Sequence, residues 1–257
     1  MNITILGAGN VATQLALAFK KAGHRIVEIY NRSGEAGEEL AKTVGAAFTY
    51  DIQSLALADV YIVAVKDDAI EERASQLKVN GKTVAHTSGT KTKDLLHPSS
   101  PNHGIFYPLQ TMTKSMKLDF KNVPVLIEGS NEETAALLEQ LAITISQNVH
   151  RVDEEQRQWI HVAAVFANNF TNHLYGISEK LLLTHNLPFE ILKPLIFRSI
   201  ENLATHSPND IQTGPAVRND FQVIDRHIQL LSDNERLKKV YEILTQSIIA
   251  SQSDKVK

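Results

Sequence analysis

Apolar positions in the first 150 or so residues come in short runs that end on glycine or on a charged turn, and helical periodicity fills the gaps between them. Ile3 to Leu6 is a β-leaning run that stops at Gly7-Ala8-Gly9, after which Val11, Leu15, Ala18 and Phe19 recur at helical spacing until Gly23. This predicts strand, glycine turn and helix, the opening of a βαβ unit. Strands over Ile26 to Tyr30 and Ala47 to Tyr50 flank a polar-faced helix, Ala36 to Val44, closed by Gly45. Val60 to Val65 is apolar throughout, as a parallel strand covered on both faces requires. A helix over Ala69 to Leu77, strands at Thr83 to His86, Ile105-Phe106 and Val125 to Ile127, a helix over Glu132 to Ile143 and a short strand at Asn148 to Val152 complete this half. From Asp153 the texture changes to long helical segments, Glu154 to His185, Phe189 to His206, Val217 to Leu231 and Asn234 to Ser251, separated by Pro188, Pro208 and Gly214-Pro215. The expectation is an α/β domain with a doubly wound, mostly parallel sheet at 1–152, followed by an all-α domain at 153–257.

Charge narrows the function classes. The chain of 257 residues carries 26 Lys plus Arg against 29 Asp plus Glu, a net charge of −3. Its basic pieces, such as Lys20-Lys21 and Lys238-Lys239, form no stripe that would neutralise a run of phosphates, so no nucleic-acid partner is expected. The lack of cysteine excludes disulfides, thiolate metal sites and a cysteine nucleophile. No apolar run approaches the roughly 20 residues that cross a bilayer, and Met1 to Thr4 leads into a strand pattern with no basic region. A soluble, cytoplasmic protein is expected.

The glycine turn carries the first candidate chemistry. Gly7, Gly9 and Ala12 fill the three small positions of the Rossmann dinucleotide fingerprint, for the tight turn, the approach of a pyrophosphate and the close packing of helix on strand. Gly7, Ala8, Gly9, Asn10 and Val11 are therefore the expected diphosphate site, at a helix N-terminus whose free N–H groups and dipole favour an anion. At the end of the second strand, where NAD enzymes place an acid, this chain has Asn31-Arg32-Ser33. No carboxylate repels a 2′-phosphate there, and Arg32 and Ser33 offer donors, which favours NADP over NAD. The alternative leaves Arg32 solvated and gives the ribose to Glu28.

Ligands of such sheets lie beyond the carboxyl ends of the strands. Val65 and Lys66 leave the third long strand there, where their main chain would pass a nicotinamide ribose, while Asp67-Asp68 suits a helix cap. His86-Thr87-Ser88-Gly89-Thr90 ends the next strand, with an imidazole and hydroxyls fit to bind or protonate a carbonyl, or simply a turn. On the first long helix, His161, Asn168, Asn169, Asn172 and His173 place amides four residues apart in an apolar context, to line a cleft or to cap neighbours. Arg218, in Gly214-Pro215-Ala216-Val217-Arg218-Asn219-Asp220, could meet a substrate carboxylate or pair with Asp220. No compact His, Asp and Glu set suggests a metal.

Four pieces, Gly7-Ala8-Gly9-Asn10-Val11-Ala12, His86-Thr87-Ser88-Gly89, Tyr107-Pro108-Leu109-Gln110-Thr111-Met112 and Gly214 to Asp220, stand in an order that resembles a bacterial family coupling a Rossmann domain to a helical C-terminal domain of unknown function, of the 2520 type. More distantly the chain resembles the 6-phosphogluconate dehydrogenase-like superfamily, including pyrroline-5-carboxylate reductases and deazaflavin-linked NADP oxidoreductases. The resemblance implies an NADP(H)-dependent oxidoreductase acting on a small, anionic carbonyl, imine or alcohol in an interdomain cleft, with a 6-phosphogluconate dehydrogenase C-terminal-like helical domain that pairs into a homodimer. β-Hydroxyacid dehydrogenases of that superfamily carry a Lys one turn before an Asn; Asn169 fits the Asn, but Val165 stands where the Lys would be. Their acid/base chemistry does not transfer. The expected catalytic set is then His86 for proton transfer, Ser88 and Asn169 for polarising the reacting oxygen and Arg218 for a carboxylate. The missing Lys also motivates a second reading, a dinucleotide-binding sensor or regulatory protein without turnover.

Overall fold

Eight strands hydrogen-bond in the order β3-β2-β1-β4-β5-β6-β7-β8 in a computed structural model that describes residues 1–79 and 81–253. The strands are β1 (Asn2–Leu6), β2 (Arg25–Tyr30), β3 (Ala47–Thr49), β4 (Val60–Val63), β5 (Thr83–His86), β6 (His103–Pro108), β7 (Val125–Gly129) and β8 (Val149–Arg151). β1 to β6 run parallel, β7 pairs antiparallel with β6, and β8 follows β7 in parallel. This is the Rossmann-type doubly wound sheet expected from the sequence, with helices α1 (Asn10–Lys21), α2 (Gly34–Val44), α3 (Ile70–Gln76) and α4 (Glu132–Ile143) as crossovers. Chain order reverses between β1 and β4, so a crevice opens there, beyond the carboxyl ends of both strands.

Alternation within the strands builds a core on each face. Ile3, Ile5 and Ile62 join Leu15, Phe19, Phe106, Leu138 and Leu141 on one side. Leu6, Tyr61 and Val63 join Ile70, Leu77, Val84 and Leu96 on the other. Every residue of β4 and β5 is buried, which accounts for runs without polar alternation. The predicted Ile105-Phe106 strand is longer than its apolar signal, because pairing with β5 and β7 recruits His103, Gly104, Tyr107 and Pro108. Gly104 is needed there: a Cβ would strike the Glu128 carbonyl and lie 2.7 Å from Leu138 Cδ1, so α4 sits flush on β6.

The helical texture begins at α5 (Glu154–Ala164), whose N-terminus is closed by a capping box between Asp153 and Gln156. The long helix then continues through a π-helical turn, Val165–Phe170, into α6 (Thr171–Thr184). By packing, however, the chain divides into 1–173 and 174–257, so α5 and the π turn belong with the sheet although the composition changes at Asp153. The second unit contains most of α6, then α7 (Lys193–Asn202), α8 (Phe221–Leu230) and α9 (Glu235–Ser253). The predicted helix over 217–231 starts late, at Phe221, because Asn219 takes a positive φ of 54° and Asp220 caps the Val223 N–H. No helix among the described residues is long and apolar enough to cross a membrane.

Removing the contact of Leu138 with β6 in Leu138→Ala is expected to cost about 2–5 kcal/mol, the range for a cavity in a packed core. Urea unfolding followed by circular dichroism measures it, and an unchanged midpoint would contradict this placement of α4.

Candidate active site

The turn between β1 and α1 separates two uses of glycine. Gly7 has φ +120°, donates its N–H to the Tyr30 carbonyl at 2.7 Å, and a Cβ there would overlap the Ala64 carbonyl. Its reason is the fold itself. Gly9 differs: φ −80° and ψ −171° suit any residue, and a Cβ would meet nothing within 4 Å. No side chain caps α1 and no acid lies in its first turn, so the N–H groups of the first turn and the positive helix end face open space beside Gly9. Ala8 is buried, Asn10 exposed and Val11 half-buried at this opening, while Ala12 is fully buried where helix meets strand.

At the end of β2 the Asn31 amide donates to the Ser33 carbonyl at 2.7 Å and to Ser33 Oγ at 3.0 Å. Arg32 and Ser33 are exposed, and Arg32 pairs with no acid among the described residues. Glu28 is buried and accepts the Ala56 N–H at 2.8 Å, which commits it to the loop before β4 and removes it from the alternative ribose role.

Past β4 and β5, most polar groups brace loops. Val65 is half-buried and Lys66 exposed, but Asp67 does not cap a helix with its side chain. Its carboxylate accepts the hydroxyls of Ser88 at 2.7 Å and Thr90 at 3.0 Å, joining the two loops. Ser88 Oγ also accepts the Thr90 and Lys91 N–H groups at 3.2 and 3.1 Å, so its hydroxyl is consumed by the turn. His86 has no exposed surface; Nδ1 accepts the Ser88 N–H at 3.1 Å and Nε2 lies 3.0 Å from the Thr92 carbonyl, which assigns the proton to Nε2. Burial pushes its pKa down to about 4, with the Arg157 cation adding to the shift and the Thr92 carbonyl opposing it. Against the roles expected of them in proton transfer and in polarising an oxygen, His86 and Ser88 brace the loops with every polar atom engaged.

The group left facing open space is one the sequence reading did not assign. Tyr107, on β6, reaches the same sheet edge, and its hydroxyl lies 2.9 Å from His161 Nδ1 on α5. Gly89 makes this possible, since a Cβ there would lie 2.7 Å from His161 Nδ1 and 2.8 Å from Tyr107 Cζ. Burial raises the Tyr107 pKa, Asp67 adds to the rise and Arg157 opposes it, so the phenol keeps its proton near neutrality. Tyr107 and His161 line a groove of about 400 Å³ with Gln110, Thr111, Asn168 and Asn169. The π turn supplies both asparagines: Asn168 Nδ2 donates to Thr111 Oγ1 at 2.6 Å, while the Asn169 amide has no partner among the described residues. Such turns present side chains that a regular helix would stack away. Behind the groove, Arg157 is fully buried, its guanidinium 3.4 Å from the Ser88 carbonyl and 3.4 Å from Glu128, which also binds Lys93 at 2.7 Å.

Asn172 and His173 are exposed at the start of α6. Arg218 belongs to the second unit, exposed in the turn before α8, and does not pair with Asp220, whose carboxylate caps that helix. Among the described residues, no three His, Asp or Glu side chains gather as a metal site would need. His161 was among the residues expected to line a cleft and Tyr107 stood in the Tyr107 to Met112 segment, but 54 positions separate them in the chain and nothing local showed that they pair.

Residues 2–88 match the family described as NADP oxidoreductase coenzyme F420-dependent, and residues 123–248 match a domain of unknown function, DUF2520. A Bacteroides fragilis protein crystallised as a candidate NADP oxidoreductase is 40% identical, with a TM-score of 0.89 over 97% of this chain and 98% of its own. A reductive aminase from Aspergillus terreus, solved with NADPH and ethyl-5-oxohexanoate, is 15% identical with a TM-score of 0.74, covering 100% of this chain and 99% of that one. A 1-pyrroline-5-carboxylate reductase from Streptococcus pyogenes is 16% identical with a TM-score of 0.65, covering 97% and 98%. The last two share the fold. No curated protein matches the chain.

The His86 assignment has a pH consequence. The unfolded ring titrates near 6.5 and the buried one near 4, so the unfolded state binds more protons between those values. Stability from the neutral ring is present above pH 6.5 and is lost as pH falls toward 4, by up to about 3 kcal/mol. His86→Gln keeps a donor and an acceptor without titrating, and its unfolding free energy is expected to decline less over that window. Urea unfolding at stepped pH measures this; equal declines in both proteins would rule it out.

Proposed function

The chain belongs to the family that joins an NADP oxidoreductase coenzyme F420-dependent domain to a DUF2520 domain, and from that premise we propose that it is an NADP(H)-dependent oxidoreductase acting on a carbonyl, imine or alcohol of a small molecule. The observation that carries this is the uncapped N-terminus of α1 behind Gly9, a glycine that neither backbone conformation nor packing requires. Room for an anion is the remaining reason for it. The diphosphate is held by the turn Gly7, Ala8, Gly9, Asn10 and Val11, and the 2′-phosphate by Arg32 and Ser33, with Asn31 shaping their loop. The main chain at Val65 and Lys66 would run beside the nicotinamide ribose of a bound cofactor. NADPH, once bound, supplies the hydride; the protein's part is to orient the acceptor and exclude water. Asn169, whose amide has no partner among the described residues, is the group for polarising the reacting heteroatom; Arg218, exposed on the second unit, is by itself a cation of the kind that pairs with a carboxylate. The apolar Val165 beside the groove supports no lysine-type acid/base step, and keeps a sensor without turnover as the competing reading.

The helical unit supports a homodimer. It buries Ala216 and Ile224, yet it exposes Leu183, Leu195, Phe197, Ile200, Phe221 and Ile243, among others. So much apolar surface on helices with so small a core needs a cover, and a second copy supplies a self-complementary one.

Fluorescence titration with NADPH is expected to detect binding that Gly9→Val weakens at least tenfold with the fold unchanged, because the added side chain fills space the diphosphate requires. Arg32→Ala is expected to weaken NADPH by about 1–3 kcal/mol and leave NADH nearly unaffected. Equal losses for both cofactors would overturn the 2′-phosphate assignment, and binding without NADPH oxidation across carbonyls and imines would favour the sensor. Light scattering should give a mass near twice 28.5 kDa; a monomer at micromolar concentration would exclude the dimer.

A further inference from the structure

The polar groups at the carboxyl edge of the sheet divide by whether their hydrogen-bonding capacity is already used. His86, Ser88, Thr90 and Asp67 are occupied with one another and with the main chain. Among the described residues the Tyr107 hydroxyl hydrogen-bonds only His161 Nδ1, and both rings border the groove. A hydrogen bond that merely joined β6 to α5 would not need an exposed groove beside it, nor a glycine at 89 to admit both rings at van der Waals limits.

We propose that Tyr107 is the proton donor to the substrate heteroatom and that His161 is its proton source, a catalytic pair assembled over Gly89. The assignment rests on the oxidoreductase reading above. In the reducing direction, hydride from NADPH forms the new C–H bond and the π electrons of the C=N or C=O move to the heteroatom. That atom takes the proton of the Tyr107 hydroxyl, forming N–H or O–H. The tyrosinate takes the Nδ1 proton of His161 while the ring takes a proton from solvent at Nε2, so the imidazole relays one proton and its charge does not change. Net, one hydride and one proton enter the substrate and NADP+ is released. His161 donating through Nδ1 turns the Tyr107 proton toward the groove; the buried surroundings of the phenol hold that proton in place until the heteroatom calls for it. Alcohol oxidation runs the same path backward.

The test uses the full chain and the probes 1-pyrroline-5-carboxylate, pyruvate and cyclohexanone with allyl amine. Tyr107→Phe keeps the ring and its packing, and Gly89→Ala keeps both catalytic side chains while forcing them apart. Each is expected to lower kcat at least about a hundredfold on whichever probe is reduced, the scale of a lost general acid. NADPH affinity should stay within twofold. His161→Leu should do the same, with partial recovery in His161→Gln, whose amide still donates. A second readout needs no substrate: tyrosine ionisation followed by ultraviolet difference spectroscopy, with Tyr107→Phe identifying the Tyr107 step. His161→Leu should move that step up by about one pH unit, because tyrosinate loses its donor. Retention of kcat within threefold in Tyr107→Phe, or an unmoved ionisation step in His161→Leu, would overturn the pair while leaving cofactor binding and the reductase reading intact. NADPH binding with none of the probes reduced by the unaltered protein would count against the reaction, and so against any donor for it.

Discussion

The close approach of Gly7 to the Ala64 carbonyl governs the rest of the molecule's cofactor end. Only a residue without Cβ can turn there at φ +120° while β1 and β4 remain neighbours in one sheet. That turn points α1 at the gap where chain order reverses, and it leaves the helix start without a side-chain cap. What suits this helix start to an anion is what is missing as much as what is present: no Cβ at Gly9, no acid in the first turn, and no capping side chain to compete for the free N–H groups.

Beyond that turn, the loops are stiffened by polar contacts rather than apolar ones. Asp67 ties the β4 loop to Ser88 and Thr90; His86 holds the following segment through Ser88 and Thr92; Arg157 reaches the Ser88 carbonyl from α5 and meets Glu128 on β7. Arg157 makes long contacts and its Nε has no partner among the described residues, so burying this cation carries a cost that the Glu128 carboxylate, which it shares with Lys93, only partly offsets. What the network provides is a fixed floor for Gly89, on which the Tyr107 and His161 rings meet. The π turn completes the groove by bringing Asn168 onto Thr111 and leaving Asn169 unspent, a geometry that a regular helix through Val165 would not give.

The two units follow different packing logic. In 1–173 both faces of the sheet carry a packed core, and the central strands β4 and β5 are buried end to end. In 174–257 the helices carry apolar side chains on surfaces that nothing within the unit covers. Hydrophobic periodicity looks alike in the two cases, because it records that a face wants burial and not what buries it.

Local rules made the doubly wound sheet, the glycine turn, the helical second half and the acid-free Asn31-Arg32-Ser33 loop legible in the sequence. Strand alternation, helical spacing and the steric freedom of glycine are properties of neighbouring residues. The polar site was not legible in the same way. His86 and Ser88 stood at the right strand end, yet whether a polar side chain is free or spent depends on partners such as Asp67, Thr92 and Arg157, which folding alone brings to it. Tyr107 and His161 were each noted separately in the sequence and become a pair only when β6 and α5 meet across Gly89. Neighbouring residues alone show which segments are strands and helices and where a glycine turn opens a helix start, because burial and backbone sterics act over a few residues. The tertiary structure decided which hydrogen bonds are already made, because each one joins groups far apart in the chain, and only a group left unsatisfied after that accounting has anything to offer a substrate.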